Sequence, residues 1–329
     1  EWICDLNIHL SDQMLESQLR QDRDVEAHYE AVRYFASQLH PTVHSAKVLL
    51  RTLLDKRYYY GVRVEAIRAL ATISKVDNDH IGMRYLLRAF KHLFCYSSEI
   101  KISDYDELNW REYIPKTNQF SDFSKMFLQK AFVNAFMIIK NKDGDAPIEI
   151  KKIVLGLLKY NDNDGNRFDD CYYVCDLIKA VVTHVIISNR SIVNVHALAA
   201  SADSEGQDVL QSVNNDRDQF VTDAIHELNR CEKMDRWTTS YRQMVTKTVL
   251  EQRIRLAKAG LAKVTFFDLL PYTQSNYDDT VKLVAYEGLL LLGGLRNHQI
   301  LSYYFLAMTM EESNYLKYEL NKRLVYVIG

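Results

Sequence analysis

Glycine and proline are both scarce in this chain, 11 and 4 among 329 residues. A fold of many strands needs glycine for turns at positive φ, and a disordered chain is rich in both residues, so neither class fits. Uninterrupted apolar runs of the roughly 18–20 residues that a membrane span requires are lacking too. The longest, such as Val185–Ile187 and Gly288–Leu292, are short. Charge of one sign does not dominate, since the net formal charge is −2, and nucleic-acid-like basicity over the whole chain is excluded. Five cysteines, odd in number and widely spread, make no disulfide framework and point to a reducing compartment, nuclear or cytosolic. The opening Glu1-Trp2-Ile3-Cys4 carries no initiator methionine or signal peptide and reads as a boundary inside a longer polypeptide.

What is present is apolar residue at helical spacing. The apolar fraction is 47%, and 329 residues exceed one ordinary core, so either two globular domains or one elongated repeat array is expected. Residues 42–75 read as a helix pair, with Pro41 just ahead of the first helix and Thr42 as its cap. Val43, Ala46, Leu49, Leu50, Leu53 and Leu54 lay down one stripe. The second helix carries Val62, Ala66, Ala69, Leu70 and Ile73, with Arg63 after its first member, and Val281, Ala285, Gly288, Leu289 and Leu292 repeat the same offsets with Lys282 in the basic slot. Small residues within that spacing let one helix approach another closely, as in the inner helix of a HEAT repeat. Looser copies start at Val25, Leu128 and Tyr173. Further helices are expected near 11–20, 79–95, 147–160, 217–233, 240–258, 297–309 and 313–327.

The expected fold is all-α, a HEAT/ARM-type α-solenoid of paired antiparallel helices. Residues 1–20 form a boundary segment and first helix, and 21–329 form the array. Two polar stretches break the rhythm and read as insertions, one near 96–121 with Asp104, Asp106, Glu107 and Glu112 around Trp110, the other near 188–216. Residues 42–95 hold ten Lys/Arg against four acids, whereas 203–236 hold nine acids against four bases. Arg57, Arg63 and Arg68 are the candidate contacts of a basic ridge to an acidic partner or DNA phosphates. Arg63 also occupies a slot that many HEAT repeats use for structural salt bridges.

Catalytic and metal chemistry is not assembled by any motif. His226-Glu227-Leu228-Asn229 continues with Arg230, so the second histidine of a zinc helix is missing. Asn161 to Gly165 suggests a calcium loop, but with Gly165 at position six the first and twelfth ligands would be Tyr160 and Cys171, so a helix-ending turn is expected. Cys171 and Cys175 share a helix face without a second pair and read as small core hydrophobes. Tyr58-Tyr59-Tyr60 and Tyr303-Tyr304-Phe305 can stack on bases, though packing between repeats is the more ordinary use. Neither a cofactor nor a small-molecule substrate is expected.

Residues 121–183 carry a resemblance. Ser124-Lys125-Met126-Phe127-Leu128-Gln129-Lys130, Leu158-Lys159-Tyr160-Asn161-Asp162-Asn163, Asn166-Arg167-Phe168-Asp169-Asp170 and Tyr172-Tyr173 are similar to the C-terminal helical region of the family of the second TBP-associated factor, a subunit of TFIID. Gln18-Leu19-Arg20, Asp22-Arg23-Asp24-Val25, Tyr60-Gly61-Val62-Arg63, Glu232-Lys233-Met234 and Ser240-Tyr241-Arg242 extend it over about residues 2–260, in family order. The run from Lys159 to Tyr173 is the specific part, because no packing rule demands it. The resemblance implies a nuclear, non-catalytic scaffold. It would dock other TBP-associated factors, notably the eighth, and support promoter recognition. Promoter DNA would be met mainly through an upstream aminopeptidase-like region that this chain lacks. Direct DNA binding through the basic 42–95 face is the alternative.

Overall fold

The computed structural model describes residues 11–38, 40–74, 80–96, 114–199 and 204–329; the side chains of 190–216 lie outside that description. Fourteen α-helices occur among the described residues: α1 Asp12–Gln21, α2 Val25–Ser37, α3 Val43–Leu54, α4 Tyr60–Thr72, α5 Ile81–Phe94, α6 Phe123–Phe136, α7 Ile148–Lys159, α8 Cys171–Ala199, α9 Ser204–Trp237, α10 Met244–Lys258, α11 Phe266–Leu269, α12 Asp279–Leu291, α13 His298–Met310 and α14 Asn314–Ile328. The fold class is all-α. Two compact units divide within α7, one ending at Ile153 and the other beginning at Val154.

Short polar residues start several of these helices by taking up orphan backbone N–H groups. Thr42 accepts from Ser45 N at 3.2 Å as expected, Asp24 from Glu26 N at 3.1 Å, and Asp278 from Thr280 N at 2.9 Å. Asn297 and Ser313 do the same for α13 and α14.

In the first unit α4 packs against α2, α3, α5 and α6, and α3 also meets α5. In the second unit α8, α10, α12 and α14 follow one another in a row, with α9 against α8 and α10, and α13 against α12 and α14. Contact of each helix with the next but one is what stacked helix pairs produce. The repeated stripe lies at these centres. Val62, Ala66, Ala69, Leu70 and Ile73 are all buried, as are Val281, Ala285, Gly288 and Leu289, while Leu292 is half-buried. Gly288 sits so close to α10 that a Cβ there would lie 2.5 Å from Ile254 Cδ1.

Two expectations need adjustment. Within the expected insertion at 188–216, residues 188–199 continue α8 and 204–216 open α9, and 200–203 lie outside the described residues. The stretch holds no proline and one glycine, so its polar and Asn-rich composition disguised helix-compatible sequence. Second, Cys171–Asn189 is long and apolar enough to cross a membrane by length and mean hydropathy (1.5), despite its interrupting Asp176 and Lys179. In the fold 67% of that window is buried, as in a core helix. At the other insertion, Cys95 and Tyr96 pair antiparallel with Pro115 and Ile114. The acidic residues and Trp110 between them lie outside the described residues.

Candidate interaction surfaces

The basic face expected on the first unit is divided by the structure. Arg63 is only 7% exposed, and its Nε donates to the Leu53 carbonyl at 2.8 Å. Burial lowers its pKa, opposed by Asp122 and Asp55. It therefore ties α4 to the end of α3 and leaves the candidate contact set. Arg57 has a 90% exposed side chain and grips Asp55 with two nitrogens, at 3.0 and 2.7 Å. Its hydrogen bonds hold the Asp55 carboxyl below the usual range. Arg68 is exposed and lies 3.6 Å from Glu65. Arg57 and Arg68 thus remain on the surface, each beside a carboxylate.

The aromatic triplets are used for packing, with members left over. Tyr58 donates to the Leu19 carbonyl at 2.7 Å, and Tyr60 stacks on Phe127 with centroids 5.3 Å apart. Tyr304 is fully buried and donates to the Leu320 carbonyl at 2.8 Å, whereas Phe305 is exposed. Cys171 and Cys175 are buried, and burial pushes the Cys171 thiol up to about 12. Cys175 accepts from the Thr248 hydroxyl at 3.1 Å, a core contact. Glu227 pairs with Arg230 at 2.6 Å, and Arg230 also donates to the Leu158 carbonyl at 2.9 Å, capping α7.

Sequence reading missed a groove of 570 Å³ in the second unit, set between α9, α10 and the Ala262–Tyr272 connection. Charges fix its wall. Glu232, buried on α9, is held by Arg236 one turn on, by Arg253 of α10 at 2.5 Å, and by the Tyr272 hydroxyl. Arg253 also donates to Asn229 Oδ1 at 2.5 Å. Burial, then hydrogen bonding to Glu232, pushes the Tyr272 phenol up to about 12. A carboxylate facing two guanidinium groups and a phenol is fully engaged in holding its neighbours. Thr265 opens α11 with a reciprocal bond to Asp268, which aims Phe267 outward at 82% exposure. Lys233 and Lys263 also line the groove, so its charged lining is two acids against four bases, net +2. The Glu232–Arg236 spacing of one helical turn was readable in sequence; Arg253 and Tyr272 reach the site only through the fold.

An array of packed antiparallel helix pairs is the architecture of a helical repeat protein. Comparison with known proteins gives the family. A family model described as "TAF2-like, TPR repeats" matches residues 12–328, and the chain belongs to that family. Its description says TPR where the helix spacing here reads as HEAT; both are arrays of antiparallel helix pairs. The chain is similar to the "Transcription initiation factor TFIID subunit 2" of Schizosaccharomyces pombe, 33% identical over 314 residues, covering 95% of this chain and 24% of that protein. The protein of the same name from Saccharomyces cerevisiae is 28% identical over 334 residues, covering 96% and 21%. That of Drosophila melanogaster is 30% identical over 263 residues, covering 78% and 19%. The chain therefore spans about a quarter or less of the length of these curated relatives.

Proposed function

We propose that this chain is a non-catalytic scaffold region of the general transcription factor TFIID. It works in the nucleus and docks other TBP-associated factors, the eighth among them, during assembly of the RNA polymerase II initiation complex. Its relatives bear the name of a TFIID subunit, which supports the setting. The observation that carries the docking reading is the groove, whose lining includes the exposed Phe267, Lys233 and Lys263 and a wall fixed by Glu232. Exposed aromatics beside cations on a rigid wall suit an extended partner segment with acidic and apolar side chains. The test is binding of purified TBP-associated factors to the chain and to Phe267→Asp and Lys263→Glu variants. Retained melting behaviour with affinity weakened at least about tenfold is expected. Unchanged affinity in both variants would reject the groove as the docking site.

The second reading is direct promoter-DNA binding through Arg57 and Arg68 on the basic face. Their exposure and the local excess of positive charge favour it; the carboxylates of Asp55 and Glu65 beside them weaken it.

A further inference from the structure

Helix α14 is apolar on two opposite sides. Inward, Leu316, Leu320 and Leu324 recur every fourth residue and are buried in the same core as Val281, Leu289 and Tyr304. Outward, Tyr315, Tyr318, Val325 and Tyr326 stand at offsets 0, +3, +10 and +11, and they are 59 to 79% exposed. At about 100° per residue these offsets fall within about a third of the helix circumference, opposite the leucines. Lys322, at +7, completes the stripe, and its side chain is 64% exposed.

The row of α8, α10, α12 and α14 shows what a second apolar side does in this fold. α12 touches α10 and α14, and the successive residues Leu283, Val284, Ala285 and Tyr286, which point in different directions around it, are all buried. A helix apolar on two sides is a helix packed on two sides. α14 has α12 and α13 as its main neighbours and ends the row among the described residues. Its outer stripe runs Tyr315, Tyr318, Lys322, Val325, with steps of 3, 4 and 3 residues. That is the seam which a further helix lying alongside would fill. The residues differ from those inside the row. Where α12 meets α10, Gly288 brings the backbone close against Ile254. Three tyrosines instead make up most of the outer stripe, and rings that bury while their hydroxyls stay wet are the composition of surfaces between proteins.

We infer that the outer face of α14 docks an amphipathic helix of a partner protein, laid along α14 as α14 lies along α12, with a carboxylate set opposite Lys322. The inference rests on the scaffold reading and gives it a second surface, which shares no residue with the groove. The stripe itself holds one cation and no acid. The acid nearest Lys322 is Glu319 at 3.9 Å, and the other oxygen of Glu319 is taken by Arg323, which also pairs with Glu287 at 3.3 Å. A second copy of the chain is disfavoured, because the register that overlaps two such stripes fully sets Lys322 against Lys322. Nucleic acid needs several cations for its phosphates, and the stripe has one.

The test places a photoreactive benzoylphenylalanine at position 318, and in a separate protein at position 325, in the complete protein as cells make it. Co-purification of TBP-associated factors reports assembly; the complex is then illuminated, and the bridged peptides are identified by mass spectrometry. Both probes should bridge to one segment of another polypeptide, at residues about seven apart, as two helices lying side by side require. A synthetic peptide of that segment should gain helix on binding. It should bind at least about tenfold more weakly to Tyr318→Ser/Tyr326→Ser and to Lys322→Glu proteins of unchanged melting temperature. A bridge to the same polypeptide, to a second copy of it or to nucleic acid overturns the inference. So do bridged residues about three apart, the spacing of an extended strand over the same length, unchanged affinity in either variant, or silent probes in an assembled complex. Failure of the unmodified protein to assemble with any TBP-associated factor overturns the scaffold reading, and this inference with it.

Discussion

Glu232 on α9 and Arg253 on α10 meet at 2.5 Å inside the wall of the groove, with the Glu232 carboxylate buried. Removing the buried acceptor leaves the Tyr272 hydroxyl and the partly exposed Arg253 without it, at about 1–3 kcal/mol. Glu232→Ala should therefore destabilise the chain by about that amount, since Arg236 and Tyr272 lose the same acceptor. Urea unfolding followed by circular dichroism checks it through the midpoint at constant slope. An unchanged midpoint would mean that the network does not hold α9 to α10.

Two helical glycines should respond in opposite directions. Gly156 in α7 has open space where a Cβ would go, so Gly156→Ala should stabilise by about 0.5–1 kcal/mol through helix propensity. At Gly288 a Cβ would press on Ile254 and Leu269. Overpacking of about 1–3 kcal/mol should outweigh the propensity gain. Thermal melting of both variants measures the difference, and equal signs would contradict the close helix approach at α12.

Arg63 is expected to act in stability and not in binding. Arg63→Met removes its donation to the Leu53 carbonyl and should cost about 1–3 kcal/mol. Arg57→Glu and Arg68→Glu, both at exposed positions, should leave the fold nearly unchanged. If the basic face binds promoter DNA, these two variants should lose it, and wild-type affinity should fall steeply with salt. Binding assays at two salt concentrations decide between the readings; undetectable DNA binding at low salt would remove the second one.

Alkali should unfold the chain through its buried phenols. Tyr272 ionises near 12 in the fold, against about 10 when unfolded. The folded state then holds a proton that the unfolded state releases, so stability is complete below about pH 10 and falls as pH rises towards 12. Tyr286 and Tyr304 are raised by burial and act in the same direction. Tyrosine absorbance near 295 nm should show a delayed class that titrates together with loss of helix. Tyr272→Phe should lessen the decline in stability over that range.

Much of the fold was legible because helices announce themselves locally. The stripe from Val62 to Ile73, its copy from Val281, and the Thr42 cap are all short-range patterns, and each appears where spacing put it. Residues 188–199 and 204–216 misled because a polar composition resembles a loop when only composition is weighed, though it is compatible with helix. The candidate site was less legible. Arg63, Arg57 and Arg68 look alike as letters, yet packing buries the first and exposes the others. Glu232, Arg253 and Tyr272 come together across three segments, and no local pattern joins them. The run from Lys159 to Tyr173 is mixed, with Cys171 and Tyr173 buried in the core and Tyr160, Phe168 and Tyr172 exposed, a division that the letters alone do not give.

The groove of the second unit is the proposed seat of a partner subunit. Hydrogen exchange of the backbone, measured with and without the eighth TBP-associated factor, tests it most directly. Slowed exchange in 225–236 and 262–272 on adding the partner is predicted, and it should vanish in the Phe267→Asp variant. Protection confined to α3 and α4, or none anywhere in a folded chain, would contradict it.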